Sequence, residues 1–220
     1  MNSFQKFVHK TFNCTSIGRL ILAYYLLQKN HLSVYGWNNS VKSRKPIDRN
    51  GEALPWFTYS FIHFLEKRIE DNFKIFEYGS GNSTIWFSRF GCKVISIEHD
   101  KNWYNFMFSS LSKNPLIDYK FRELESNKYV EEITNYTNEF DIVVLDGRER
   151  VQCCKNSLLA LKKGGVIIWD NSDRHEYDEG YKYLLANNFK RIDFQGLGPI
   201  NSRAWCTSVF YKERENCLDI

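Results

Sequence analysis

The 220-residue sequence contains no apolar run long enough to cross a bilayer. The longest N-terminal run, 17–27, is interrupted by Arg19 and falls far short of the ~20 residues that a helical span needs. Lys6 and Lys10 precede it in the manner of a signal peptide, but no small-residue cleavage site follows, since 31–35 has the wrong composition. The run therefore reads as a packing helix, with interfacial association with a membrane as the alternative. No C-x-x-C pair occurs among Cys14, Cys92, Cys153, Cys154, Cys206 and Cys217, which removes the spacing a zinc site needs. Cys92 and Cys206 fall in apolar stretches and read as small buried residues, and the adjacent Cys153 and Cys154 do not suggest a disulfide framework. This usage predicts a reducing, cytoplasmic setting. Charge of one sign is not in excess either. The 30 Lys and Arg read as scattered among 26 Asp and Glu, for a net +4, with neither a nucleic-acid footprint nor a polybasic membrane patch. There is no internal repeat and no low-complexity tract.

What is present supports a substantial core. Hydrophobic residues make up 43% and aromatics 16%, and the length fits one domain with an extension. Residues 1–30 read as helical, with Ser16 as the N-cap. Residues 35–55 are rich in turn formers (Gly36, Asn38, Asn39, Pro46, Gly51, Pro55) and read as a loop or lid. Phe57, Phe61, Phe64 and Leu65 then give a helical period over 57–68. From 74 onward short apolar runs alternate with helical ones. Strands are predicted over 74–78, 93–97, 119–122, 140–145, 165–169, 189–194 and 207–211. Helices are predicted over 83–89, 102–111, 129–133, 153–161 and 179–187. The pattern predicts an α/β, Rossmann-like doubly wound sheet of about seven strands, mostly parallel with an antiparallel last strand, after an N-terminal helical extension. The division expected is 1–70 extension and cover, 71–214 cofactor-binding domain and 215–220 tail.

Two features at strand ends carry the chemistry. Glu77-Tyr78-Gly79-Ser80-Gly81 follows the first strand and opens a helix, and neither glycine has a Cβ to keep a ligand from the backbone. The third glycine of a dinucleotide fingerprint is missing, because Thr84 stands there, which argues against the usual NAD pattern. Glu98 ends the next strand, where an acid can accept both hydroxyls of a ribose. Asp146 then ends the 140–145 strand, and Gly164-Gly165 opens another. This succession resembles the class I methyltransferases dependent on S-adenosylmethionine (SAM), over about 74–211. The resemblance implies that Glu77, Gly79, Ser80 and Gly81 hold the amino-acid part of SAM and Glu98 its ribose. Asn82, Ser83 and Thr84 supply donors at a helix N-terminus, suited to a carboxylate. Adenine contacts are implied after the third strand, at Glu123 or Glu125.

The third constellation is Asp146 with Asp170-Asn171 at a neighbouring strand end. Two carboxylates and an amide oxygen form a hard ligand set of the kind magnesium or calcium accepts. The Asp146-Gly147 and Trp169-Asp170-Asn171 pattern is similar to the cation-dependent O-methyltransferases, in which a divalent ion holds two acceptor oxygens. That group often places a lysine soon after its first metal acid; here Arg148-Glu149-Arg150 stands instead. Two readings stay open: a metal at Asp146, Asp170 and Asn171, or direct contact of Asp146 with cofactor or acceptor while Asp170 caps a turn. If no metal neutralises the acids, Arg148 or Lys155 is the expected cation. His175 is a candidate base, His63 is expected to pack, and Trp37, Trp56 and Trp205 to roof a pocket or fill the core. The expected function is methyl transfer from SAM to oxygen of a small molecule or glycan precursor, possible metal assistance included. Another SAM-derived group transferase of the aminopropyl type, or a non-catalytic nucleotide-binding module, is the alternative. The lack of a basic stripe argues against a nucleic-acid acceptor.

Overall fold

Seven strands form one sheet in the order β3-β2-β1-β4-β5-β7-β6. The structure, a computed structural model, describes residues 6, 15–212 and 215–220; the expected helix over 1–30 lies largely outside them at its N-terminal half. In chain order the strands are β1 (Lys74–Tyr78), β2 (Lys93–Glu98), β3 (Ile117–Phe121), β4 (Phe140–Leu145), β5 (Leu161–Asp170), β6 (Lys190–Gly196) and β7 (Trp205–Tyr211). All pairings are parallel except those of β7 with β5 and with β6. The helices are α1 (Ser16–Leu27), α2 (Trp37–Ser43), α3 (Tyr59–Glu66), α4 (Asn82–Arg89), α5 (Lys101–Leu111), the short α6 (Lys128–Glu131), α7 (Arg150–Ser157) and α8 (Asp178–Ala186).

The central strands are nearly continuous apolar runs because both their faces are covered. Phe76, Tyr78, Val143, Leu145, Ile167, Trp169 and Phe210 face one layer with Tyr129, Cys153, Tyr181 and Leu184. Ile75, Ile142, Val144, Val166, Ile168 and Val209 face the other with Phe57, Phe61, Trp86 and Phe87. Alternation with period two assigns each residue to its layer. The order in which strands are added reverses between the parallel β1 and β4, so the crevice beyond their C-terminal ends is the place for a ligand in such a sheet.

Several expectations are corrected. Thr15, not Ser16, caps α1: its hydroxyl accepts from Gly18 N at 3.0 Å. The turn-rich stretch 35–55 contains α2, whose polar residues Asn38, Asn39 and Lys42 give no apolar period to read. The helix expected over 153–161 starts at Arg150 and ends at Ser157, leaving Leu161 to open β5. Gly164 and Gly165 thus lie within β5 rather than at its start. The β4–β5 register shifts there, and a Cβ on Gly165 would stand 2.9 Å from Phe140 O. Residues 215–220, expected as a tail, pack on the sheet: Leu218 is buried and Cys217 N donates to Gly164 O at 2.9 Å. Cys92 and Cys206 are buried, as expected, and every described cysteine is free.

Helix α8 reaches the sheet through a glycine. A Cβ on Gly180 would stand 2.4 Å from Trp169 Cη2, and Trp169 is fully buried. Gly180→Ala is expected to lower stability by about 1–3 kcal/mol, the usual cost of overpacking. Urea unfolding of the two proteins side by side measures this; an unchanged midpoint would show that the ring has room to yield.

Candidate functional site

The turn after β1 is built by hydrogen bonds from its own neighbourhood. Glu77 is fully buried; its Oε2 accepts from Ser96 Oγ at 2.9 Å and from Thr84 Oγ1. Thr84 Oγ1 in turn accepts from Gly81 N at 3.1 Å. Gly79 takes φ +90°, and a Cβ on it would meet Gly147 at 3.0 Å, so the turns after β1 and β4 touch where only glycine fits. Gly81 differs: a Cβ there meets nothing within 4 Å. Space therefore stands open beside the turn. Glu77 does not line that space: its Oε1 is buried and has no partner among the close hydrogen bonds, and the Ser83 hydroxyl is one of the groups that lower its pKa. Burial pushes the Glu77 carboxyl up to about 7, and the surrounding hydroxyls only partly offset this.

Glu98 behaves in the opposite way. Burial would raise its pKa, but hydrogen bonds from His99, Asp100 and Ser80 outweigh burial and hold it below the ordinary carboxylate range. Its Oε1 accepts from His99 N at 2.8 Å and Asp100 N at 2.9 Å, its Oε2 from Ser80 N at 3.2 Å and Ser80 Oγ at 3.0 Å. The ribose acceptor expected from its position is thus occupied by the protein's own groups. The Ser80 hydroxyl also bonds Tyr119 Oη at 2.8 Å.

The cleft beside the turn has a volume of about 460 Å³. Ser80, Gly81, Asn82, Ser83 and Asp146 form its floor, with Trp103, Phe106 and Met107 of α5 on one side and Arg44, Lys45, Pro46 and Trp56 of the N-terminal extension on the other. Trp103 was not foreseen as a site residue. Its Nε1 donates to Ser80 O at 2.8 Å and pins the loop. Asp100, by capping α5 through Asn102 N and Trp103 N, aims that helix at the turn. The Asn82 side chain donates to Pro46 O at 2.6 Å and clasps the extension to the loop. Glu125 and Glu123 are exposed and do not line this cleft. His175 is 98% exposed, with Nδ1 3.7 Å from Asp178 Oδ2, so the structure does not bring this candidate base to the cleft. His63, expected to pack, is exposed on α3. Of the expected roof, Trp56 lines the cleft, Trp37 donates to Asn201 O at 3.0 Å and Trp205 is buried.

The residues expected to hold a divalent cation do not fit one. Arg150 is buried, and its guanidinium lies among the turns after β4 and β5. Nη2 donates to Asp146 Oδ1 at 3.1 Å and Asp146 O at 2.8 Å, Nε to Gly147 O at 2.9 Å, and Nη1 to Asp170 O. Asp170 Oδ1 accepts from Thr207 Oγ1 at 2.6 Å and Trp205 Nε1 at 2.9 Å. The neutralising cation is thus Arg150. Arg148 is exposed, and Lys155 is paired with Glu179. Burial raises the pKa of both acids; for Asp146 the Arg150 charge pulls it back, and for Asp170 the Asp146 charge adds to it. Among the described residues no group of three or more His, Cys, Asp or Glu side chains is placed to hold a metal ion.

No protein-family model and no curated protein sequence matches the chain. Solved structures do. An O-methyltransferase from Bacillus cereus, determined in complex with SAH, superposes with a TM-score of 0.58 at 16% identity, covering 88% of this chain and 97% of that one. A methyltransferase from Geobacter sulfurreducens gives 0.53 at 16%, over 88% and 96%. A spermidine synthase in complex with the transition-state analogue AdoDATO gives 0.50 at 17%, over 68% of this chain and 55% of that one. The chain has the class I SAM-dependent methyltransferase fold.

The buried guanidinium makes a sharp expectation. Arg150→Met leaves Asp146 without its cation beside Asp170 and is expected to cost about 3–5 kcal/mol of stability. Adding Asp146→Asn to it should restore part of that loss, while a chelator leaves the melting temperature of the unaltered protein unchanged. Differential scanning calorimetry of the three proteins reads all of this, and a chelator-dependent melting temperature would return a cation to the site.

Proposed function

We propose that this protein transfers a methyl group from SAM to an oxygen of a small molecule or glycan precursor. The observation that supports this best is the cleft over the glycine turn at the switch point of this fold, with open space over Gly81 and the start of α4 in its lining. In this reading Glu77 takes the amino group of SAM. The amides opening α4, with Ser83, take its carboxylate. Glu98 takes the ribose in exchange for the Ser80 hydroxyl, and the backbone at Gly79 and Gly81 lets the ligand lie close. When bound, SAM supplies an electrophilic methyl group on a sulfonium.

The rest is the work of this chain's residues, and most of it is positioning. Trp56, Trp103 and Phe106 offer flat faces to a ring, and the extension closes the cleft from above, clasped at Asn82 and Pro46. Asp146 stands in the cleft floor. Burial raises its pKa, which suits a carboxylate that orients an acceptor hydroxyl and draws off its proton. Arg150 behind it stabilises its charged form. Aminopropyl transfer is the second reading, favoured by the spermidine synthase likeness. Calorimetry with SAM and with decarboxylated SAM separates the two, since only the first uses the carboxylate donors of α4.

Gly81→Val tests the site without endangering the fold, because its Cβ enters open space. Its melting temperature should match that of the unaltered protein while SAM binding is lost; full affinity in the folded variant would sink the proposal. The pH dependence has a defined sign. With its pKa near 7, Glu77 is largely protonated below that pH and cannot accept an ammonium as a carboxylate. SAM affinity should therefore rise as pH increases through about 7, and the rise should vanish in Glu77→Gln. For the unliganded fold the sign is reversed. A carboxyl raised by folding favours the native state at low pH, and its contribution is lost between the ordinary carboxylate range and about 7.

A further inference from the structure

The first 47 residues contain seven Lys and Arg and no Asp or Glu, whereas the remainder carries 26 acids against 23 bases. Charges that read as scattered over the whole chain are therefore segregated along it. The same segment holds α1, which buries Gly18 and Leu22, half-buries Leu26 and leaves the rest of its apolar side chains outside. Ile17, Leu20, Ile21 and Tyr24 recur at helical spacing on one exposed face, Leu20 at 72% and Ile21 at 52%, with Tyr25, Leu27 and Val34 exposed nearby. The helix expected to pack is largely unpacked. At 12 residues it is too short to span a bilayer, and no described helix is long and apolar enough to do so.

We infer that this segment docks the protein on a membrane surface rich in anionic lipid, with α1 lying in the interface. Both properties of the segment are needed to choose the occupant. A polyanion such as RNA would answer the positive charge but leave Ile17, Leu20 and Ile21 in water. A second copy would cover the apolar face but bring two acid-free basic segments together. An anionic lipid surface answers both: acyl chains take the Ile and Leu side chains, the headgroup layer takes the Tyr24 and Tyr25 rings, and Lys29 and Lys42 meet lipid phosphates. Lys29 Nζ already bonds Tyr25 Oη at 3.2 Å, which keeps an ammonium beside an interfacial ring. The segment continues to Arg44 and Lys45 at the cleft mouth, so docking brings that mouth to the surface. This inference does not depend on the reaction proposed above.

Cosedimentation of the full chain with vesicles tests it. The protein should bind phosphatidylcholine–phosphatidylglycerol vesicles, bind phosphatidylcholine alone at least about tenfold more weakly, and be released by high salt. Leu20→Glu with Ile21→Glu should weaken binding to the mixed vesicles on the order of tenfold or more. Both side chains are exposed, so the melting temperature should hold. Failure of the unaltered protein to bind mixed vesicles overturns the inference, as does equal binding by the variant. It is likewise overturned by self-association in sedimentation equilibrium that the variant abolishes, or by binding to homopolymer RNA in the absence of vesicle binding.

Discussion

A parallel sheet forces neighbouring strand ends together, and in this protein that puts two carboxylates side by side. Leu145 pairs with Trp169, so Asp146 and Asp170 leave β4 and β5 at the same level. Two such groups close together cannot both stay charged without a compensating cation. Arg150, four residues beyond Asp146, pairs with the Asp146 carboxylate, while burial and the Asp146 charge push the Asp170 carboxyl up to about 7. Glu149, in the left-handed region at φ 49°, turns the chain so that α7 begins there and the arginine points back under the turn. The guanidinium is planar with a fixed fork of donors, so one side chain holds three carbonyls and a carboxylate at once. A lysine could hold the charge but not this geometry. The turns after β4 and β5 are thus locked to each other, and through the Gly79–Gly147 contact the lock extends to the turn after β1.

The loop over β1 is held ready by a second set of contacts. Glu98 binds Ser80 through both backbone and hydroxyl, Trp103 binds the Ser80 carbonyl, and Thr84 joins Gly81 to Glu77. Most polar groups of the turn are satisfied within the protein. That makes the exception informative. A buried carboxylate oxygen without a close partner is costly, and the raised pKa of Glu77 is the mark of that cost. Ordering of the loop before a ligand arrives also removes an entropic cost from binding.

The strand-turn-helix order, both glycines and the two acids at strand ends were legible because each is a local signal, read from alternation, a missing Cβ or a charge that ends an apolar run. What was not legible depends on pairing. Asp170 owes its partners to Trp205 and Thr207, which lie 35 and 37 residues away on the reversed strand β7. Asn82 looks like a ligand donor in sequence, and only the fold of the extension turns its amide toward Pro46. Arg150 was visible as a charge beside acids, but its burial follows from where α7 begins, and that helix was placed three residues late. Trp103 falls in the helix expected over 102–111, with nothing local to mark it as a site residue. Its indole N–H matters only because the capped start of that helix abuts the glycine turn.

These two sets of contacts also decide the electrostatics of the cleft. Its lining carries three charged side chains: Arg44, Lys45 and Asp146. Asp146 is already answered by Arg150, whereas among the described residues neither Arg44 nor Lys45 is in an ion pair. The field at the mouth is therefore positive, although the larger part of the chain, from Asp48 onward, has more acids than bases. A field of this kind raises the local concentration of anions and falls away within a Debye length, ~8–10 Å at ordinary salt. It acts on whatever approaches the opening, and Trp56, Trp103 and Phe106, 42%, 43% and 61% exposed, present apolar surface at the same opening. Charge and aromatic surface there thus combine an attraction that salt weakens with one that it does not.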